Sequence, residues 1–169
     1  MKKTLIIIGG LICFNASASP SYTFIDLNML GESYSTAYSI NNSNQIGMIQ
    51  GVATPIPSGG FSIELIPAVW ENSSIALASQ GNRYDSQIYK INDSGQVLIN
   101  TFSSGTKNGA IWETSNNTIT ILKTEGFSGG VTAWDINNSG QTVGSIGASA
   151  VTWVNKDAIP IDIAQPNDF

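Results

Sequence analysis

The sequence has no histidine, and its one cysteine, Cys13, sits in a leading segment that reads as removable. These two absences exclude much of the chemistry open to a small protein. A Ser-His-Asp or Cys-His nucleophile cannot be assembled, and ordinary zinc and haem ligation is ruled out. With the leader removed no disulfide can form, so stability has to come from sheets and core alone. Charge is scarce as well: Lys and Arg number 7, Asp and Glu 12, and the net charge is −5. An acidic surface poor in lysine argues against nucleic acid and anionic lipid headgroups, since both need basic patches. No stretch after the leader sustains a 3.6-residue apolar period. Helices are therefore expected to be nearly absent.

Residues 1–18 carry the marks of an export signal. Lys2 and Lys3 supply the positive start, Leu5 to Phe14 the apolar centre, and Ala16-Ser17-Ala18 a small-residue cleavage site. The apolar centre, about ten residues, is too short to span a hydrocarbon core of about 30 Å. Lipid attachment at Cys13 would need a small residue before it, where the bulky Ile12 stands. The expectation is export to the periplasm or beyond the cell, with no membrane insertion after cleavage. Cleavage leaves residues 19–169, that is 151 residues, and loss of two lysines takes the charge from −5 to −7. That length is enough for one domain with a real core.

What the chain has in their place is repetition. Ile40-Asn41-Asn42-Ser43-Asn44-Gln45 returns as Ile91-Asn92-Asp93-Ser94-Gly95-Gln96 and again as Ile136-Asn137-Asn138-Ser139-Gly140-Gln141. A period of roughly 45 residues marks one supersecondary unit copied and stacked. A second landmark, Ala68-Val69-Trp70, matches Ala110-Ile111-Trp112 and Val151-Thr152-Trp153. A third is a short apolar run: Ile75-Ala76-Leu77, Ile119-Thr120-Ile121-Leu122 and Ile159-Pro160-Ile161-Asp162-Ile163, with Tyr22 to Leu27 fitting the same slot.

Every segment of the unit reads as a strand, short and rich in β-branched and aromatic residues. The Asn-rich phrases at 41–44, 92–95 and 137–140 read as hairpin turns. Asn and Asp side chains bond back to nearby backbone, and Gly95, Gly140 or Asn44 supplies a left-handed position. The predicted fold is all-β, built of repeated four-stranded antiparallel units as in a partial or small β-propeller. Grouped as Trp strand, apolar strand and turn pair, residues 19–169 make a single domain of about three units, the last incomplete. Its apolar strand would leave an unfilled edge, which predicts weak, concentration-dependent self-association.

The order Trp strand, apolar strand, then A-x-x-I-N-x-x-G-Q, hydrophobic, x, G resembles the HAF-repeat family of bacterial extracellular repeat proteins, most closely from Ala133 to Gly144. The resemblance runs from about Tyr22 to Ile163 but departs at the naming tripeptide, where Pro67-Ala68-Val69 and Gly109-Ala110-Ile111 lack the histidine. It implies a propeller-like fold and secretion, and it transfers no catalytic residues.

Candidate chemistry is thin. The carboxylates are scattered, and no two recur together as a glycosidase-like pair would require. The turn at Asp93 could be read as a calcium loop, but it holds one carboxylate and its sister turns none, so turn chemistry accounts for it better. No catalytic, metal or cofactor site is expected. Trp70, Trp112 and Trp153 are expected to fill the space between units. Tyr38, Tyr89 and Trp134 share one slot, two residues before the turn isoleucine, and read as a core layer with a ligand platform as the alternative. Val52 to Glu64 is an insertion, read as a surface loop of the kind that carries specificity. The functional expectation is an exported, non-catalytic repeat module binding a protein or glycan partner. A truncated structural remnant without independent activity is the alternative, and a carboxylate-dependent glycoside-processing enzyme is a distant third.

Overall fold

A computed structural model describes residues 23–27, 34–78, 86–103 and 105–163. The export signal and the last residues lie outside them. Among the described residues there are twelve strands and no helix. The first sheet is β1 (Ser35–Ile40), β2 (Ile46–Pro55), β3 (Phe61–Glu71) and β4 (Ser74–Leu77). The second is β5 (Gln87–Ile91), β6 (Gln96–Ser103), β7 (Thr106–Glu113) and β8 (Thr118–Ile121). The third is β9 (Val131–Ile136), β10 (Thr142–Ile146), β11 (Ser149–Trp153) and β12 (Ile161–Asp162). Each sheet is an antiparallel meander with its strands in chain order. This is the repeated four-stranded unit the sequence pattern predicts.

The three Asn-rich phrases are hairpin turns joining the first and second strand of each sheet. In each, the backbone N–H of the fourth residue donates to the carbonyl of the Asn that opens the turn, as Gly95 does to Asn92 at 3.1 Å. The closing residue is left-handed in every copy, with φ of 60° at Asn44, 73° at Gly95 and 79° at Gly140. Only Gly, and less readily Asn, takes that conformation without steric cost.

The phase of the repeat differs from the sequence grouping. The Trp strand and the apolar strand close the sheet begun by the turn pair before them, so Val151 to Trp153 and Ile161–Asp162 complete the third sheet and do not open another. The reason lies in connection length. Within a sheet most links are tight turns, the one over 154–160 being the longest, whereas the links over 78–86 and 122–130 are longer still and join one sheet to the next. The early apolar run also differs: residues 23–27 form no strand, and Phe24 is exposed.

The sheets pack face to face in sequence. Ile49 and Val69 of the first meet Ile88, Ile91, Ile99 and Trp112 of the second. Leu98 and Ile111 on its other face meet Ile136, Ile146, Val151 and Trp153 of the third. First strands adjoin one another, β1 with β5 and β5 with β9, and the three sheets do not close into a ring. Trp112 and Trp153 fill the spaces between sheets as expected, each with its indole N–H satisfied, by Asn117 Oδ1 and by the Lys123 carbonyl, both at 2.9 Å. Trp70, on the first sheet, is only half-buried.

The insertion from Val52 to Glu64 is not a loop. Its two arms stay in register as a ribbon, Val52 opposite Glu64 through Pro55 opposite Phe61, closed by Gly59 and Gly60. It lengthens the hairpin of β2 and β3 beyond the main body of the sheet.

Candidate functional site

The first strand of each sheet breaks register at the same place. Ala37 pairs with Met48 and Ser39 with Gly47, leaving Tyr38 without a partner. Ile88 pairs with Ile99 and Lys90 with Leu98, which leaves out Tyr89. Ala133 pairs with Gly144 and Asp135 with Val143, which leaves out Trp134. Each aromatic is the extra residue of a β-bulge. A bulge interrupts the strict alternation of faces and re-aims the side chain it inserts.

The consequence is exposure. Tyr38 is 48 % and Trp134 55 % exposed, while Tyr89 is partly covered by its neighbours. The expected core layer is therefore overturned, and the core positions are taken by the residues flanking the bulge: Ile88 and Ile91 in β5, Ala133 and Ile136 in β9.

The row is organised. Tyr89 and Trp134 meet edge to face, with centroids 5.6 Å apart and planes at 80°, the arrangement their ring quadrupoles favour. Lys107 of β7 places its ammonium 6.0 Å from the Tyr89 ring centre and 5.9 Å from those of Trp134 and Phe102. Phe102 stands opposite Lys107 on β6. It also reaches a cleft of about 280 Å³ between the first two sheets, shared with Tyr34, Tyr38, Leu65 and Gln87. Burial, followed by the neighbouring Tyr34 hydroxyl, pushes the Tyr38 phenol above its ordinary value of 10.0, so it is neutral at physiological pH. The aromatics thus run from Trp134 through Tyr89 and Phe102 to Tyr38 and Tyr34.

A polar groove of about 410 Å³ lies alongside, lined by Asn42, Lys90, Asn92, Asp93, Asp135 and Asn138 among others. Lys90 and Asp135, each the residue after a bulge aromatic, form an ion pair at 3.3 Å. The turns beside them are laced together. Asn41 Nδ2 donates to the Asn92 carbonyl and Asn92 Nδ2 to the Asn137 carbonyl, both at 2.9 Å. The Asp93 carboxylate accepts from the Asn42 N–H at 2.9 Å and from the side-chain amides of Asn42 and Asn138, both at 2.8 Å. Three of its acceptor positions are taken by the sister turns, and this interlock gives the carboxylate a structural role there.

Among the described residues no group of three or more His, Cys, Asp or Glu side chains is placed to hold a metal ion. No protein-family model, curated protein or solved structure matches this chain.

Proposed function

We propose that the chain is an exported, non-catalytic β-repeat module that binds an extended glycan along the bulge row. One observation carries the reading: an aromatic side chain is inserted by a bulge at the same place in three successive sheets. Exposing a ring as large as that of Trp134 forgoes burial worth roughly 1.5–3 kcal/mol. A scaffold that inserts an aromatic at this place three times over, leaving Tyr38 and Trp134 exposed and Tyr89 partly covered between them and the core, is presenting ring faces to something. Sugar rings stack their C–H faces on such platforms, and a polymer of repeated sugars suits a platform of repeated units. The adjoining groove offers carboxamides, a carboxylate and an ammonium, the donors and acceptors that hydroxyl groups need. The resemblance to the HAF-repeat family and the leader at residues 1–18 support export.

Calorimetric titration of the mature chain with a panel of oligosaccharides tests the reading. Binding should be lost in Trp134→Ala and weakened in Tyr38→Ala, with thermal melts unchanged. If only a polypeptide binds the row, the glycan assignment fails. If nothing binds, the structural remnant becomes the better account.

A further inference from the structure

Resting on the glycan reading, we infer that the sugar is anionic and that Lys107 receives its charged substituent, a carboxylate or a sulfate. Two of the four lysines the structure describes are already paired. Lys90 is tied to Asp135 at 3.3 Å and Lys156 to Asp157 at 2.9 Å. Lys107 differs from both. Among the described residues its ammonium has ring faces for company and no acceptor, so its three N–H groups point to no anion. Ring contacts alone hold a cation weakly at an accessible site. They do exclude water from one side of it, which strengthens a charge-assisted bond formed on the other.

The placement is built from the backbone up. Lys107 faces Phe102 across the β6–β7 pair, and Gly130 packs against its root. A Cβ at Gly130 would lie 3.3 Å from the Lys107 carbonyl oxygen and 3.4 Å from its Cβ, so the lack of a side chain lets the entry to β9 close on the lysine. Trp134, near the middle of β9, is thereby brought over the ammonium. A sugar stacked on Trp134 would then carry its ring substituents past Lys107.

Local charge does not oppose it. The row and its groove hold Lys90, Lys107, Asp93 and Asp135, two positive and two negative, in a chain whose net charge is −5. An anion therefore meets no net repulsion there, while the rest of an acidic chain repels it.

The test titrates the mature chain with three oligosaccharides of equal length: a neutral one, a polyuronate and a sulfated one. Wild type should bind at least one anionic oligomer about tenfold more tightly than the neutral one, the scale of one charge-assisted hydrogen bond. Whichever anion is preferred identifies the substituent. Lys107→Met, which keeps the aliphatic stem among the rings, should erase the preference for the anionic oligomer, and Lys107→Arg should retain it. Lys123→Met, the same loss of charge away from the row, should change nothing. Binding to neutral and anionic chains alike, or a preference that survives Lys107→Met, would overturn this inference and leave the glycan reading standing. Absence of binding to all three oligomers in wild type would sink both.

Discussion

Replacing the opening asparagine of each turn by alanine should give a smaller loss of stability in the third turn than in the first two, although the local turn chemistry is the same. In the middle copy the Asn92 carboxamide oxygen accepts from the Ser94 N–H at 3.1 Å and the Gln96 N–H at 2.9 Å. Its amide donates to Gln96 Oε1 at 2.8 Å and to the Asn137 carbonyl at 2.9 Å. Asn137 repeats the two acceptor bonds at 3.0 Å and a long contact to Gln141 at 3.3 Å, but among the described residues its amide reaches no further turn. Asn92 is 3 % and Asn41 8 % exposed, whereas Asn137 is open to water.

The shared local part resembles a capping asparagine, whose loss costs about 1 kcal/mol where water can replace it. The inter-turn donor adds a second effect: its removal takes one of the two hydrogen bonds from the next turn's Asn carbonyl, which keeps the one from its own turn, a net loss of about 1 kcal/mol. We therefore expect Asn137→Ala to cost about 1 kcal/mol, and Asn41→Ala and Asn92→Ala about 2 kcal/mol each. Asn92→Asp should be at least as damaging as alanine at neutral pH, since it sets a carboxylate oxygen against the Asn137 carbonyl. Urea melts of the mature chain, read as midpoint shifts at constant slope, measure this directly. Equal losses at all three sites, within about 0.5 kcal/mol, would refute the ladder as a source of stability and leave only independent turns.

The tryptophans should separate likewise. Trp112→Ala, at a site 1 % exposed, should cost about 3–5 kcal/mol in urea melts, and the half-buried Trp70→Ala clearly less. Trp134→Ala should cost less than about 1 kcal/mol by the same assay, because the ring it removes is mostly in solvent. The Asn42 N–H, then the Asn42 side chain and Asn138, hold the Asp93 carboxyl below its ordinary value of 3.8. A depressed folded-state value means the contribution is complete above the unfolded-state value and is lost as pH falls through the lower one. Wild type and Asp93→Asn should therefore differ in urea midpoint near pH 6 and converge as the pH falls below the ordinary value of 3.8 and through the lower folded-state one. A constant gap across that range would show that the carboxylate's charge contributes nothing.

The parts of the fold legible in the sequence are those decided locally. Asn41, Asn92 and Asn137 announce their turns because one carboxamide satisfies two backbone N–H groups within four residues, and the left-handed closing position admits little besides Gly140, Gly95 or Asn44. Sheet boundaries are not local. In a cyclic order of strands, any grouping of four explains the same spacings, and the choice rests on which connection is long enough to change sheets. The ribbon from Val52 to Glu64 was hidden for a related reason. Pro55, Pro57, Gly59 and Gly60 read as a loop, yet only its tip at 56–60 lies outside the paired strands.

The aromatic bulge row is not legible if perfect alternation is assumed. A half-buried strand with period two places Ile88 and Ile91, or Ala133 and Ile136, on opposite faces, because each pair is three apart. All four are buried. Both members of each pair can face a core only if one residue between them is left out of the ladder, and in each copy the aromatic is the residue left out. The parity break was therefore present in the sequence, once the isoleucine of the turn phrase was taken as buried. By composition a large aromatic between two apolar residues looks like core. Position decides otherwise for Tyr38 and Trp134, which have no cross-strand partner and stand exposed, while Tyr89 stays partly covered against the core. In the second and third copies the insertion that lets the isoleucine be buried also places the aromatic out of the ladder; in the first copy Ile40 itself is exposed.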